Sequence, residues 1–221
     1  MRSVIRNPPT TTKIHLEQHL THDREHFRNS YAGSPPWDID KPQPAFQAAA
    51  DKVVGSILDA GCGTGEHALF FAARGHTVTG FDFLEEPIAV ARRKAAERNL
   101  IVKFLVEDAL NLPEWSERFD NVLDSGLFHV FSDEDRIRYV HGLKKVLNPG
   151  GRLFLLCFSD ATPGKQGPRR VSRSELRHAF ADGWEIESLE AARLEIRPED
   201  RAGAFSGEDP HGWFLIVRHL A

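Results

Sequence analysis

The spacing of apolar and polar positions changes several times along the chain, and each change marks an element. Ile57 and Leu58 form an apolar run that ends at Asp59; small residues and glycines follow, and His67 to Ala72 is apolar again. That pattern reads as strand, tight turn and helix. The alternation then repeats. His76 to Asp82 reads as a second strand, Glu85 to Asn99 as an Ala/Arg-rich helix and Ile101 to Glu107 as a third strand. Phe119 to Asp124 is a fourth strand and Asp133 to Leu147 a helix. Gly151 to Phe158 is a fifth strand, introduced by Asn148-Pro149-Gly150-Gly151. Strands alternating with helices predict an α/β fold: right-handed crossovers build a parallel sheet with helices on both faces, and ligands bind beyond the strands' carboxyl ends.

The two ends of the chain depart from this alternation. Residues 1–13 hold two prolines and a threonine run and read as a mobile tail. Ile14, Leu16, Leu20, Phe27 and Tyr31 fall on one face at helical spacing, an amphipathic segment that has to cover something apolar. With the proline-rich stretch from Gly33 to Pro44, centred on Trp37, it forms an N-terminal helical lid over 14–44 ahead of a single domain over 45–221. Pro44 to Val54 reads as a short helix. Within the lid, His22-Asp23-Arg24-Glu25-His26 matches a His-x-x-Glu-His metalloprotease pattern, with His15 and His19 nearby. The chain has 11 histidines, and the pattern lies on a peripheral helix, so it reads as a solvated face and no metal is expected.

After the fifth strand, Ser159 to Arg170 is a Gly/Pro/basic loop, and Ser172-Arg173-Ser174-Glu175 is a capping box for a helix to Ala181. Trp184 to Leu189, extendable to Ile196, and Trp213 to His219 flank a polar connection, as a hairpin at the sheet edge would.

Composition narrows the partners. In 221 residues, 28 Lys and Arg stand against 32 Asp and Glu, a net charge of -4 that argues against a surface built for nucleic-acid phosphates. Two cysteines, Cys62 and Cys157, do not make a disulfide framework and suit a reducing compartment. No stretch has the length of a membrane span or the form of a signal region, so the expectation is a soluble cytoplasmic protein without a membrane partner.

The glycine turn points to the chemistry. Glycines tolerate positive φ and let a ligand lie against the backbone, while the following helix presents unpaired N–H groups. A dinucleotide fingerprint wants a third glycine where Glu66 stands, and no Gly-Lys-Ser or Gly-Lys-Thr closes a P-loop. A nicotinamide-dependent oxidoreductase is thereby disfavoured. Asp59-Ala60-Gly61-Cys62-Gly63-Thr64-Gly65 instead resembles the nucleoside-binding loop of class I S-adenosylmethionine-dependent methyltransferases. Pro36-Trp37-Asp38, followed by Pro42 and Pro44, resembles the cofactor-covering segment of thiol and thiopurine methyltransferase-like proteins and of bacterial heterocyclic-toxin methyltransferases.

The resemblance implies a Rossmann-like, doubly wound, mostly parallel seven-stranded sheet with a reversed last strand. It implies S-adenosylmethionine as cofactor, left as S-adenosylhomocysteine, bound by Gly61, Cys62, Gly63 and Gly65 with Trp37 beside it. Asp59 orders the loop and receives the amino-acid end. Asp82 closes the second strand, where a carboxylate can accept both ribose hydroxyls, and Phe83 lies against adenine. Asp108 faces the adenine amino group, Ala109 offers its backbone, and Asp124 completes the set. Tyr31 and Phe128 are candidate acceptor contacts, and His129 is a candidate base for an acceptor that must lose a proton. Cys62 is small enough to be explained by the turn, and methyl transfer needs no covalent enzyme intermediate. The reading is methyl transfer to N, O or S of a small aromatic or heterocyclic acceptor. The alternative is a protein that binds the same cofactor without transferring methyl, as a sensor or partner subunit.

Overall fold

The computed structural model describes residues 23–164, 167–204 and 207–220. Its seven strands form one sheet: β1 (Ile57–Ala60), β2 (Val78–Asp82), β3 (Lys103–Val106), β4 (Phe119–Ser125), β5 (Leu147–Phe158), β6 (Trp184–Arg193) and β7 (His211–His219), in the order β3-β2-β1-β4-β5-β7-β6. The first five are parallel, and β7 runs antiparallel between β5 and β6. The helices in chain order are α1 (Arg24–Tyr31), α2 (Pro44–Ala48), α3 (Glu66–Ala73), α4 (Glu85–Glu97), α5 (Asp133–Val146), α6 (Arg173–Ala179) and α7 (Pro198–Ala204).

The central strands are apolar on both faces, as strands covered by helices on both sides must be. Side chains alternate along β5: Leu153, Leu155 and Cys157 join Tyr139 and Leu143 of α5 in one core layer, and Phe154, Leu156 and Phe158 join Phe46, Phe71 and Ile88 in the other. Winding turns back between β1 and β4, because β1 leads outward to β2 and β3 while β4 begins the other half. A crevice opens at that switch point, beyond the strands' carboxyl ends.

Three details differ from the sequence reading. β5 begins at Leu147, so the predicted Asn148–Gly151 turn lies inside the strand as an irregularity: Phe119 pairs with Leu147, but Asn121 already pairs with Arg152. Pro149 has no N–H to donate to a ladder, and Gly150 at φ 80° absorbs the extra chain. The connection between β6 and β7 holds α7, which opens with Pro198 and two acidic residues, a start signal overlooked beside the surrounding polar residues.

The third concerns the lid. α1 starts at Arg24 because Asp23 caps it, accepting from the backbone N–H groups of Glu25 and His26. Ile14, Leu16, Leu20, His15, His19 and His22 lie outside the described residues. Among the described residues no three His, Cys, Asp or Glu side chains converge on a point. None of the described helices is long and apolar enough to cross a membrane.

The described part of the N-terminal segment, residues 23–44, is held at two places. On α1, Arg24 donates to the Phe83 carbonyl at 2.9 Å and pairs with Asp108, and Arg28 pairs with Glu86. On the proline-rich side, Gln43 exchanges two hydrogen bonds with the Glu195 backbone at 2.8 and 2.7 Å, and Lys41 pairs with Glu195. Arg197 donates its N–H to the Pro36 carbonyl and a guanidinium N–H to the Ser34 carbonyl. The segment after β6 and the proline-rich stretch therefore hold one another in place.

Candidate active site

Asp59 and the three glycines shape the turn after β1. Gly61, Gly63 and Gly65 have φ of 65°, 52° and 86°, a backbone that side chains rarely adopt. Close approach adds a second constraint at Gly63, where a Cβ would come within 2.8 Å of the Tyr31 hydroxyl. The Cys62 N–H donates to the Phe81 carbonyl, locking the turn to β2. Below it, Glu66 is buried and paired with Lys94 at 2.8 Å and Arg98 at 2.9 Å. Lys94 also reaches Asp40, and Thr64 donates to Asp38, so the glycine turn and the lid share one polar network.

A cavity of about 360 Å³ runs from this turn into the crevice, inside the range of roughly 300–1,000 Å³ usual for small-molecule sites. Of the residues singled out by sequence, Trp37, Gly61, Cys62, Gly63, Asp82, Phe83, Ala109, Tyr31 and His129 line it. Asp82 sits at the tip of β2, its carboxylate accepting from the Gly63 and Leu84 N–H groups at 3.1 Å each. Burial pushes its carboxyl up to about 6, against the lowering effect of those amides. Trp37 donates from Nε1 to the Tyr31 hydroxyl at 3.3 Å and meets Phe27 edge-on. Phe83 lies under the Arg24 guanidinium, 5.0 Å from its ring centre, with Phe27 on its other flank.

Five of the chosen residues lie outside the cavity lining. Asp59 is buried beneath the turn and accepts from the Ala68 N–H at 3.0 Å, holding the start of α3; desolvation pushes its carboxyl up to about 7. Asp124 accepts from the Leu127 and Phe128 N–H groups and from the Tyr139 hydroxyl, and burial pushes it up to about 6. Both carboxylates fix loops from below. Gly65 packs towards Ala91 and Phe104. Asp108 caps the following turn through the Leu110 N–H and pairs with Arg24. Phe128 is fully buried under Arg136, whose guanidinium stands 4.6 Å over the ring, so it faces the core.

His129, one residue on, faces the opposite way. Its Nδ1 accepts the Phe158 N–H at 3.0 Å, and desolvation, with Arg136 and Arg170 nearby, holds the imidazole down to about 3. Sequence reasoning gave no role to Glu107 and His67, which line the cavity from the end of β3 and from α3. Ser125, Gly126 and Leu127, in the stretch after the predicted fourth strand, line it as well.

A model of a methyltransferase domain matches residues 57–151, which hold the glycine turn, Asp82 and the loop after β4. The 2-heptyl-1-hydroxyquinolin-4(1H)-one methyltransferase of Mycobacteroides abscessus is 38% identical over 181 residues, covering 76% of this chain and 80% of that protein. A solved structure described as "Conversion of a Disulfide Bond into a Thioacetal Group during Echinomycin Biosynthesis" superposes with a TM-score of 0.77 at 37% identity, over 89% of this chain and 92% of its own. The probable tRNA methyltransferase 9B of Homo sapiens is 33% identical over 139 residues, 60% of this chain but 29% of that protein.

Proposed function

The chain belongs to the S-adenosylmethionine-dependent methyltransferases, and from that membership we propose that it transfers the methyl group to oxygen, sulfur or nitrogen of a small aromatic or heterocyclic acceptor held in the crevice cavity. The observation that carries this reading is the mixed lining of the cavity: a glycine turn open to close approach and the Asp82 carboxylate, together with the apolar side chains of Val130, Phe158, Leu194 and Ile196.

The residues present fit the cofactor. Asp82 has acceptor capacity left after its two amide bonds, and a carboxylate at a strand tip suits a pair of ribose hydroxyls. Phe83 and Ala109 offer apolar surface beside it for a flat base, and Gly61 and Gly63 leave room for backbone approach. The bound cofactor supplies an electrophilic methyl on a sulfonium centre. The chain's own part is to hold an acceptor in line and keep water out, and positioning of that kind is worth roughly 7–11 kcal/mol.

Support for an aromatic acceptor comes from the apolar side chains of the lining and from the mycobacterial relative, whose name specifies a hydroxyquinolinone. A net charge of -4 weighs against nucleic acid as acceptor, although one relative is named for tRNA. The test is a screen with methyl-labelled cofactor against thiols, phenols, N-heterocycles and unmodified tRNA. Label should enter at least one aromatic small molecule and stay out of tRNA. Label in tRNA alone overturns the proposal.

A further inference from the structure

Among the apolar residues of the cavity lining stands one imidazole beside the end of β5. His129 stands there edge-on to Phe158, ring centres 4.9 Å apart, with Val130, Pro168, Leu194 and Ile196 around the same space. The hydrogen-bond pattern fixes its tautomer. Nδ1 accepts the Phe158 backbone N–H at 3.0 Å, and a ring nitrogen that accepts from an amide carries no proton. The neutral ring's proton is therefore on Nε2. That atom lies towards the turn after β4, where a Cβ on Gly126 would stand 3.4 Å from it. A second proton on the ring is opposed by burial and by two nearby cations, Arg136 from α5, over the Phe128 ring, and Arg170 from the loop before α6, over the Phe158 ring.

We propose that His129 donates its Nε2–H to the reacting atom of the acceptor and takes no proton from it, so that the acceptors are acidic hydroxyarenes, hydroxy-heteroarenes and aromatic thiols that enter already ionised. This rests on the methyl-transfer reading above. The acceptor's proton leaves to solvent before entry. Its oxygen or sulfur lone pair then forms the bond to the methyl carbon as the sulfonium C–S bond breaks, and that electron pair stays on sulfur. One negative and one positive charge cancel, and no proton has to be removed inside the cavity.

Most other proton-binding groups along the cavity are already engaged. Asp82 holds two amides, Glu66 two cations, Asp38 Thr64, and His67 Nε2 the Gln43 N–H. Glu195 pairs with Lys41 through Oε1, but its buried Oε2 has no hydrogen-bond partner among the described residues. Among the described residues His26, Glu107 and Glu195 are left as competing bases.

Nitrogen-15 NMR of the full histidine-labelled chain tests the donor directly, with the His129 signal assigned by its loss in His129→Gln. The expected ring carries its proton on Nε2 and stays neutral down to pH 5. A proton on Nδ1, or titration between pH 6 and 7, overturns the proposal. The second arm is absorbance titration of 4-nitrophenol into the chain with S-adenosylhomocysteine. The probe should bind as the yellow phenolate, and His129→Phe should weaken it at least tenfold, the cost of one hydrogen bond to a charged group. Binding as the neutral phenol, no binding, or equal affinity in the variant overturns it. Failure of the chain to bind S-adenosylhomocysteine overturns the methyl-transfer reading instead, and the NMR result still decides the tautomer.

Discussion

Asp82→Ala should weaken S-adenosylhomocysteine binding at least tenfold in equilibrium dialysis, while Asp51→Ala should leave it unchanged. Asp51 is an exposed carboxylate paired with Arg74 on the far side of the glycine turn and serves as the control. Asp82 has two roles in the proposed site, and the substitution removes both. Its oxygens accept the Gly63 and Leu84 N–H groups, so the turn loses the anchor that sets Gly63 beside the cavity. The same carboxylate is the proposed acceptor for two ribose hydroxyls, and hydrogen bonds to a charged group are worth roughly 1.5–3 kcal/mol each. Loss of one such bond already gives tenfold. Asp82→Asn keeps the shape and part of the acceptor capacity, so it should fall between the two. An unchanged dissociation constant in Asp82→Ala would move the ribose site elsewhere.

Removing the lid gives the second large effect. A chain starting at Pro44 keeps all seven strands and the helices from α2 onward, so its far-ultraviolet circular dichroism should stay that of an α/β protein. It loses Phe27, Tyr31, Trp37 and Gln43, which wall the cavity on one side, and the contacts of Arg197, Lys94 and Thr64 with that segment. Turnover should fall at least tenfold, because the open crevice admits water and leaves the acceptor unheld. In the intact chain, tryptophan fluorescence should respond to cofactor, and Trp37→Ala should remove most of the response. The other three tryptophans do not line the cavity: Trp115 packs on Phe81, Trp184 is buried against Phe180, and Trp213 donates to the Val171 carbonyl. Full turnover by the truncated chain would sink the lid assignment.

The order of strands and helices was legible because each central strand is a short apolar run between turn residues, and the glycine turn because three glycines at that spacing have few other uses. The roles of the acidic residues were less legible. Asp59, Asp82 and Asp124 all read as closing a strand, but β1 runs on to Ala60 and β4 to Ser125, whereas β2 does end at Asp82. One residue decides the outcome, since side chains alternate along a strand. Asp59 and Asp124 are thus still within the pleat and turn into buried layers, where they brace α3 and the loop after β4, and Asp82 alone stands at a tip facing the crevice. Phe128 and His129 also part, here on a short 3-10 turn after β4, one into the core and the other into the cavity.

The proton on His129 was hidden for another reason. Its tautomer depends on an amide of β5, 29 positions away, which only the fold brings within reach. The lid was half legible: Phe27, Tyr31 and Trp37 do come together, but the cap at Asp23 sets the start of α1 by a local hydrogen bond that the apolar stripe overrode in the reading.

The most direct test of the cofactor site is a calorimetric titration of the intact chain with S-adenosylhomocysteine and, separately, with a nicotinamide dinucleotide. One S-adenosylhomocysteine per chain should bind and the dinucleotide should give no saturable heat, because Glu66, fixed by Lys94 and Arg98, stands where a dinucleotide turn needs its last glycine. Tighter binding of the dinucleotide would contradict the account.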